Sequence, residues 1–430
     1  MVRQYQRIVI FGGASAQWTP ENVWKMGGSA SAANAEVVLV DIAHARAQQM
    51  ADLCNRMIAR RYPGIGLHLS AAATLEEALP GADVVFTCYC NRGLQVEAKL
   101  NAIAARYGSH QSCYTAGPGA MLYVATQAPP MIALAQAMAR YAPQAWLINC
   151  SNPLPAMCMV AGKAGVAPRR ILGFCGALRW TRDILAQFLA VAPERLDFHI
   201  GGTNHCTFLT EVRLDGQDAY PLVREQARAL GYLDLGCWGR TTMEINLLNA
   251  IGYLCPGGHP ADIFPTVSGE WMPPGEGAPP RPGSYQSDFR ATLAAYANGE
   301  EVELCLPEDR EVPISWLDAL AGDTTEQRFS INYVNGDTVS NLPAWAVPDL
   351  ECHLDEHGVT PLAAAPLPEV IAEVVRRHQV TFEMAARAAV TRDHDLLVQA
   401  IQLCPYGDYL TTAEQIVADA RAEFGEELIF

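Results

Sequence analysis

The sequence predicts an α/β protein: a doubly wound parallel sheet in residues 1–195, then a second, α+β domain in residues 196–430. Three observations predict it. The apolar run Ile8–Phe11 breaks at a double glycine and a helix-type start follows. Further apolar runs then alternate with helical stretches as far as Phe174. Beyond that the alternation stops, and from Pro368 onward apolar residues recur at helical spacing. Strands that alternate with helices imply a parallel sheet covered on both faces.

The first strand, Ile8–Phe11, leads into Gly12-Gly13-Ala14-Ser15, and the second, Val37–Val40, ends in Asp41. A buried strand, a glycine turn, a helix and a second strand ending in an acid form half of a dinucleotide site of the Rossmann type. The glycines let the backbone approach a pyrophosphate, the helix N-terminus favours its charge, and the acid holds a ribose diol. Gly12, Gly13, Ser15, Thr19 and Asp41 are therefore the candidate cofactor residues. Asp41 favours NAD over NADP, because a carboxylate repels a 2′-phosphate. Ala14 and Ser15 stand where glycine is usual, so a plain strand-to-helix turn is the competing reading.

A helix over Ala43–Arg60 follows, then strands at Val84–Cys88 and Trp146–Asn149 with a helix at Met131–Tyr141 between them. A strand at Ile171–Phe174 and a helix near Thr181–Ala190 close the first half. Leu196–Ile200 and Thr207–Leu214 read as strands of the second region. Trp271–Gly283 holds so many prolines and glycines that it reads as a long surface loop, a candidate lid. Val370–Ala386 and Leu396–Leu403 read as helices.

Half of the 430 residues are hydrophobic and 18% are charged, so the chain can bury a large core. The formal charge of -16 argues against nucleic acid and anionic membranes as partners. The start carries no secretory signal, and no apolar stretch is long enough to span a bilayer. The 13 cysteines are scattered, without a disulfide-framework or C-x-x-C pattern, which suits a reducing cytoplasm.

Several further segments stand in a fixed order: Thr115-Ala116-Gly117-Pro118-Gly119, Asn149-Cys150-Ser151-Asn152-Pro153, Gly173-Phe174-Cys175, Asn204-His205 and Asn341-Leu342-Pro343. With the N-terminal turn and Thr19-Pro20 they resemble glycoside hydrolase family 4, the NAD- and divalent-metal-dependent glycosidases, in its α-glucosidase/α-galacturonidase-like branch. The resemblance runs from the first strand to the C-terminal helices.

The resemblance implies an unusual hydrolysis. Direct displacement at a sugar needs two carboxylates flanking the anomeric carbon. Family members instead use NAD-mediated oxidation at C3, deprotonation at C2, elimination of the glycosidic oxygen, addition of water at C1, and re-reduction. Cys175 and His205 match the family's metal ligands, and the metal implied is manganese. Without the resemblance, each reads more simply as an interior residue. Asn149 and Asn152 bracket the end of a buried strand, where an α/β sheet presents its ligand. Asn149 is a substrate candidate and Asn152 a cofactor candidate, with a turn before Pro153 as the simpler reading. Arg92, after another strand, matches an arginine that meets substrate in the family, and Asn204 accompanies His205.

Tyr253, His259 and Asp262 lie where members place the catalytic base. Asp262 is ionised at neutral pH unaided, whereas Tyr253 needs a metal or cation to lower its pKa. One departure stands out. Gly176 follows Cys175 where many members carry a side chain that protonates the leaving group. Arg179, close by, is a candidate for an anionic group on the sugar, such as a uronate.

The sequence thus favours a cytoplasmic NAD- and metal-dependent glycosidase, which the resemblance implies to be a homodimer or homotetramer. An NAD-dependent hydroxy-acid or sugar dehydrogenase and a catalytically silent NAD-binding protein are the alternatives.

Overall fold

The computed structural model describes residues 2–16, 18–93, 95–175, 181–235, 240–256, 263–264, 291, 294–296, 298–301, 313–323 and 328–430. The proposed surface loop at 271–283 lies outside them.

The N-terminal half alternates strands and helices. In chain order these are β1 (Arg7–Phe11), α1 (Trp18–Met26), β2 (Glu36–Val40), α2 (His44–Arg61), β3 (His68–Ala72), α3 (Leu75–Ala78), β4 (Val84–Thr87), α4 (Gln95–Ala105), α5 (Gly117–Tyr141), β5 (Trp146–Asn149), α6 (Leu154–Ala164), β6 (Ile171–Gly173) and α7 (Thr181–Leu189). The strands pair in the order β3-β2-β1-β4-β5-β6, all parallel. This is the strand order of doubly wound dinucleotide-binding sheets, as the alternating pattern predicts.

Successive side chains of a strand point to opposite faces, and each face has its own core. Ile8, Ile10, Val37 and Leu39 pack with α1 and α2 residues such as Met26 and Met57. Val9, Val38 and Val40 pack with α5 and α6 residues such as Leu122, Leu134 and Val160. Burial on both faces is why these strands read as unbroken apolar runs.

The sequence reading named no strand at β3 and no helix at α3, α4 or α6, and it started α5 late. β3, at the sheet edge, buries only Leu69 and Ala72, too few to stand out as a run. α5 begins at Gly117 rather than Met131 and passes through Pro129 and Pro130. Burial along most of its length outweighs the two hydrogen bonds that the prolines remove.

The second half contributes β7 (Leu196–Thr203), β8 (Cys206–Leu214), β9 (Gln217–Asp218), α8 (Tyr220–Leu230), β10 (Leu233–Asp234), β11 (Arg240–Thr241), α9 (Met243–Ile251), α10 (Ile314–Leu320), β12 (Phe329–Asn332), β13 (Asp349–Asp355), β14 (Gly358–Pro361), α11 (Glu369–Thr391), α12 (His394–Gln402) and α13 (Ala413–Phe424). The sheet does not stop at β6. It continues through β12, β13, β7, β8 and β9, now antiparallel, with β14 beside β13. α11 packs on α5, α6 and β7, so the C-terminal helices lie against the helices of the N-terminal half. Among the described residues no helix is long and apolar enough to cross a membrane.

Candidate active site

Because β1 to β6 are parallel, the loops that follow them emerge along one edge of the sheet, where α/β sheets take their ligands. That edge gathers Gly12–Ser15, Asp41, Arg92, Asn152 and Cys175 from separate parts of the chain.

Gly12 and Gly13 both donate their backbone N–H to the Val40 carbonyl, at 2.9 and 3.0 Å. This folds the turn back over the end of β2. Gly12 has φ +91°, a conformation open to glycine. The Ser15 Oγ accepts the Trp18 N–H at 3.2 Å and so caps the first turn of α1. Thr19, on that turn, is fully buried. The Asp41 carboxylate accepts the Ala14 N–H at 3.1 Å and the Ala43 N–H at 2.8 Å. It therefore stands beside the glycine turn. Ile42, next to it, is wholly exposed, and the sequence reading missed it.

At the end of β5, Asn149 is fully buried and its carboxamide is hydrogen-bonded at both its oxygen and its nitrogen. Its Oδ1 accepts the Thr87 hydroxyl at 2.7 Å and the Ser151 N–H at 3.0 Å. Its Nδ2 donates to the Ser151 and Leu154 carbonyls at 3.0 and 3.4 Å. These bonds make Asn149 a corner post that ties the end of β5 to the loop after it. Asn152 follows in the same loop, half-buried.

Cys175, half-buried and reduced, lies two residues past Gly173. From there a row of backbone pairs crosses the sheet: Gly173 to Asn332, Asn332 to Asp349, Asp349 to Gly202. Three residues beyond Gly202, His205 ends the two-residue turn between β7 and β8. Its φ is +64°, rare for a residue with a side chain, while Asn204 beside it is buried. The row carries the ligand edge of the parallel half across to this turn.

Asp349 sits in the middle of that row, only 5% exposed. Its carboxylate accepts hydrogen bonds from the Thr207 hydroxyl and the Asn332 amide. Burial raises its pKa to about 6, against the opposing pull of Thr207, the nearby His205 and Asn332. Asp349 carries no local signal in the chain, because its role arises from contacts with residues far away along it.

Tyr253 stacks edge-on against Tyr220, with ring centroids 5.9 Å apart. His259, Asp262, Gly176 and Arg179 lie outside the described residues. Ile263, one residue past Asp262, is buried, and its carbonyl accepts the Gln111 amide at 2.7 Å. Among the described residues no group of three or more His, Cys, Asp or Glu is gathered to hold a metal.

The family 4 glycosyl hydrolase model matches residues 7–191, and the model of that family's C-terminal domain matches residues 283–406. The chain is 25% identical to an alpha-galacturonidase of Lachnoclostridium phytofermentans over 95% of its own length and 93% of the relative's. It is 25% identical to an alpha-galactosidase of Bacillus subtilis, covering 89% of this chain and 88% of that one. Among solved structures, a 6-phospho-alpha-glucosidase from gut microorganisms, in complex with NAD and Mn2+, superposes with a TM-score of 0.81. That match has 20% identity and covers 98% of each chain.

Proposed function

The chain belongs to family 4 of the glycosyl hydrolases, and from that premise we propose that it hydrolyses a small glycoside using NAD and a divalent metal, manganese. Those groups supply reversible hydride transfer at the sugar C3 and Lewis-acid polarisation beside it.

The residues of the ligand edge fit both groups. A Cβ on Gly12 would stand 2.6 Å from the Cys88 carbonyl oxygen, so only glycine leaves the backbone at the depth a pyrophosphate needs. Gly13, Ser15, Thr19 and the start of α1 complete that cradle. Asp41 would hold the adenosine ribose, with exposed Ile42 beside it for the adenine, and Asn152 would serve the nicotinamide end. For the metal, a thiolate and an imidazole make a donor pair suited to a first-row divalent ion. Cys175 and His205 would hold it.

Arg92 and Asn204 orient the sugar, and Arg179 meets any carboxylate it carries. Asp262, Tyr253 or His259 removes the C2 proton, and the glycosidic oxygen leaves with its electron pair. Because Gly176 has no proton to give, that oxygen takes its proton from another group or departs without one. Water then adds at C1.

The observation that carries this reading is the row Gly173–Asn332–Asp349–Gly202, which links the strand before Cys175 to the turn that holds His205. The relatives' names direct the substrate test to α-galacturonides and α-galactosides first. Their p-nitrophenyl derivatives, with 6-phosphoglucosides as a further class, should be assayed with NAD and Mn2+, with and without EDTA. Release of p-nitrophenol that requires both cofactors and accumulates no NADH is expected. Net NADH would point instead to a dehydrogenase, and NAD binding without turnover to a silent NAD-binding protein.

A further inference from the structure

The loop after β4 is bound to the middle of α5 by a set of side-chain contacts. Pro130 has no N–H, so the Thr126 carbonyl loses its partner within the helix. The Asn91 Nδ2 donates to that carbonyl at 2.7 Å. Gln127, one residue on, is 1% exposed. Its Oε1 accepts the Asn91 N–H at 2.6 Å, and its Nε2 donates to the Asn91 carbonyl at 3.4 Å and to the Thr126 hydroxyl at 3.1 Å. The Tyr89 hydroxyl donates to the Gln127 carbonyl at 2.7 Å. Asn91 is thus held by both backbone groups and by its side chain.

The next residue is Arg92, exposed, with φ +67°. A non-glycine residue held there costs on the order of 1 kcal/mol or more, and it persists only where the surroundings over-determine it. The over-determination is the grip on Asn91. Among the described residues Arg92 itself makes no hydrogen bond or ion pair. A buried carboxamide is costly unless its groups are bonded. Gln127 bonds all of them, and two of its partners are the backbone of the loop rather than its own helix.

We infer that the Asn91–Gln127 clamp sets the aim of Arg92, which makes Gln127 a positioning residue for sugar binding. The inference rests on the reading of Arg92 as a substrate residue. Gln127 acts at a distance: it fixes the peptide that precedes Arg92, and Arg92 meets the sugar.

The test is a double-mutant cycle on the p-nitrophenyl glycoside turned over fastest by the parent, with NAD and Mn2+ present. Gln127→Leu should raise KM about tenfold, the size of one misplaced hydrogen-bonded contact, with kcat nearly unchanged. Gln127→Glu keeps the acceptor for the Asn91 N–H and should recover part of the loss. Gln127→Leu/Arg92→Ala should be no worse than Arg92→Ala alone, because the first change acts through the second residue. NAD affinity should stay at the parent value throughout. Should Gln127→Leu fail to fold, Asn91→Ser takes its place in the cycle. Additive losses in the cycle, or an unchanged KM in the clamp variant beside a raised KM in Arg92→Ala, would overturn the clamp alone. An unchanged KM in Arg92→Ala would overturn the substrate reading and the clamp's purpose with it.

Discussion

Gly12 and Cys88 come so close that a single methyl group does not fit between them. A Cβ on Gly12 would lie 2.6 Å from the Cys88 carbonyl oxygen and 2.8 Å from its carbonyl carbon, and the backbone there has φ +91°. Gly12→Ala should therefore destabilise the fold by about 1–3 kcal/mol. It should also push the turn away from the pyrophosphate. Thermal unfolding with and without NAD checks both: a lower Tm and a smaller rise on adding NAD are expected.

Cys175 follows the strand that ends at Gly173 and is not part of the glycine turn. Cys175→Ser should weaken Mn2+ binding and activity while leaving NAD affinity close to the parent value. Titrations of both ligands on the same variant separate the effects. Loss of NAD binding would make Cys175 a residue of the fold rather than of the metal site.

Asp349 lies beside His205 on the row that joins the two halves of the sheet. Carboxylates next to a metal-ligating histidine hold its ring, and their removal commonly costs about 10–100-fold in metal affinity. Asp349→Asn should show a loss of that size in a Mn2+ titration followed by electron paramagnetic resonance.

Glu244, on the first turn of α9, is 3% exposed, and its Oε2 lacks a hydrogen-bond partner among the described residues. Burial raises its pKa from the ordinary 4.5 to about 7. The folded state thus holds the proton more tightly than the unfolded chain. Glu244 contributes stability that is complete below pH 4.5 and lost as the pH rises through about 7. That loss is on the order of 3 kcal/mol. Glu244→Gln, neutral at every pH, should have a higher Tm than the parent at pH 8 and no such advantage at pH 4.5.

The parallel half was legible because β1, β2, β4 and β5 are buried on both faces and read as unbroken apolar runs. The placement of β12 and β13 between β6 and β7 was not. It depends on single backbone pairs between residues more than a hundred positions apart, and no local pattern encodes them. The site divides in the same way. The glycine turn and Asp41 carry a local pattern. Asp349 and Gln127 are lone polar residues whose partners come from distant segments. Asn341 belonged to a recognisable motif, yet its carboxamide pairs with both backbone groups of Leu367, at 2.8 and 3.0 Å. That contact holds the entry to α11, so a residue can match a family motif and serve the fold.

The most direct test is turnover in D2O, with the released sugar examined by proton NMR. A route through C2 deprotonation leaves one solvent deuterium at C2 of the product. A product with hydrogen retained at C2 would contradict it, because direct displacement at C1 never breaks that bond.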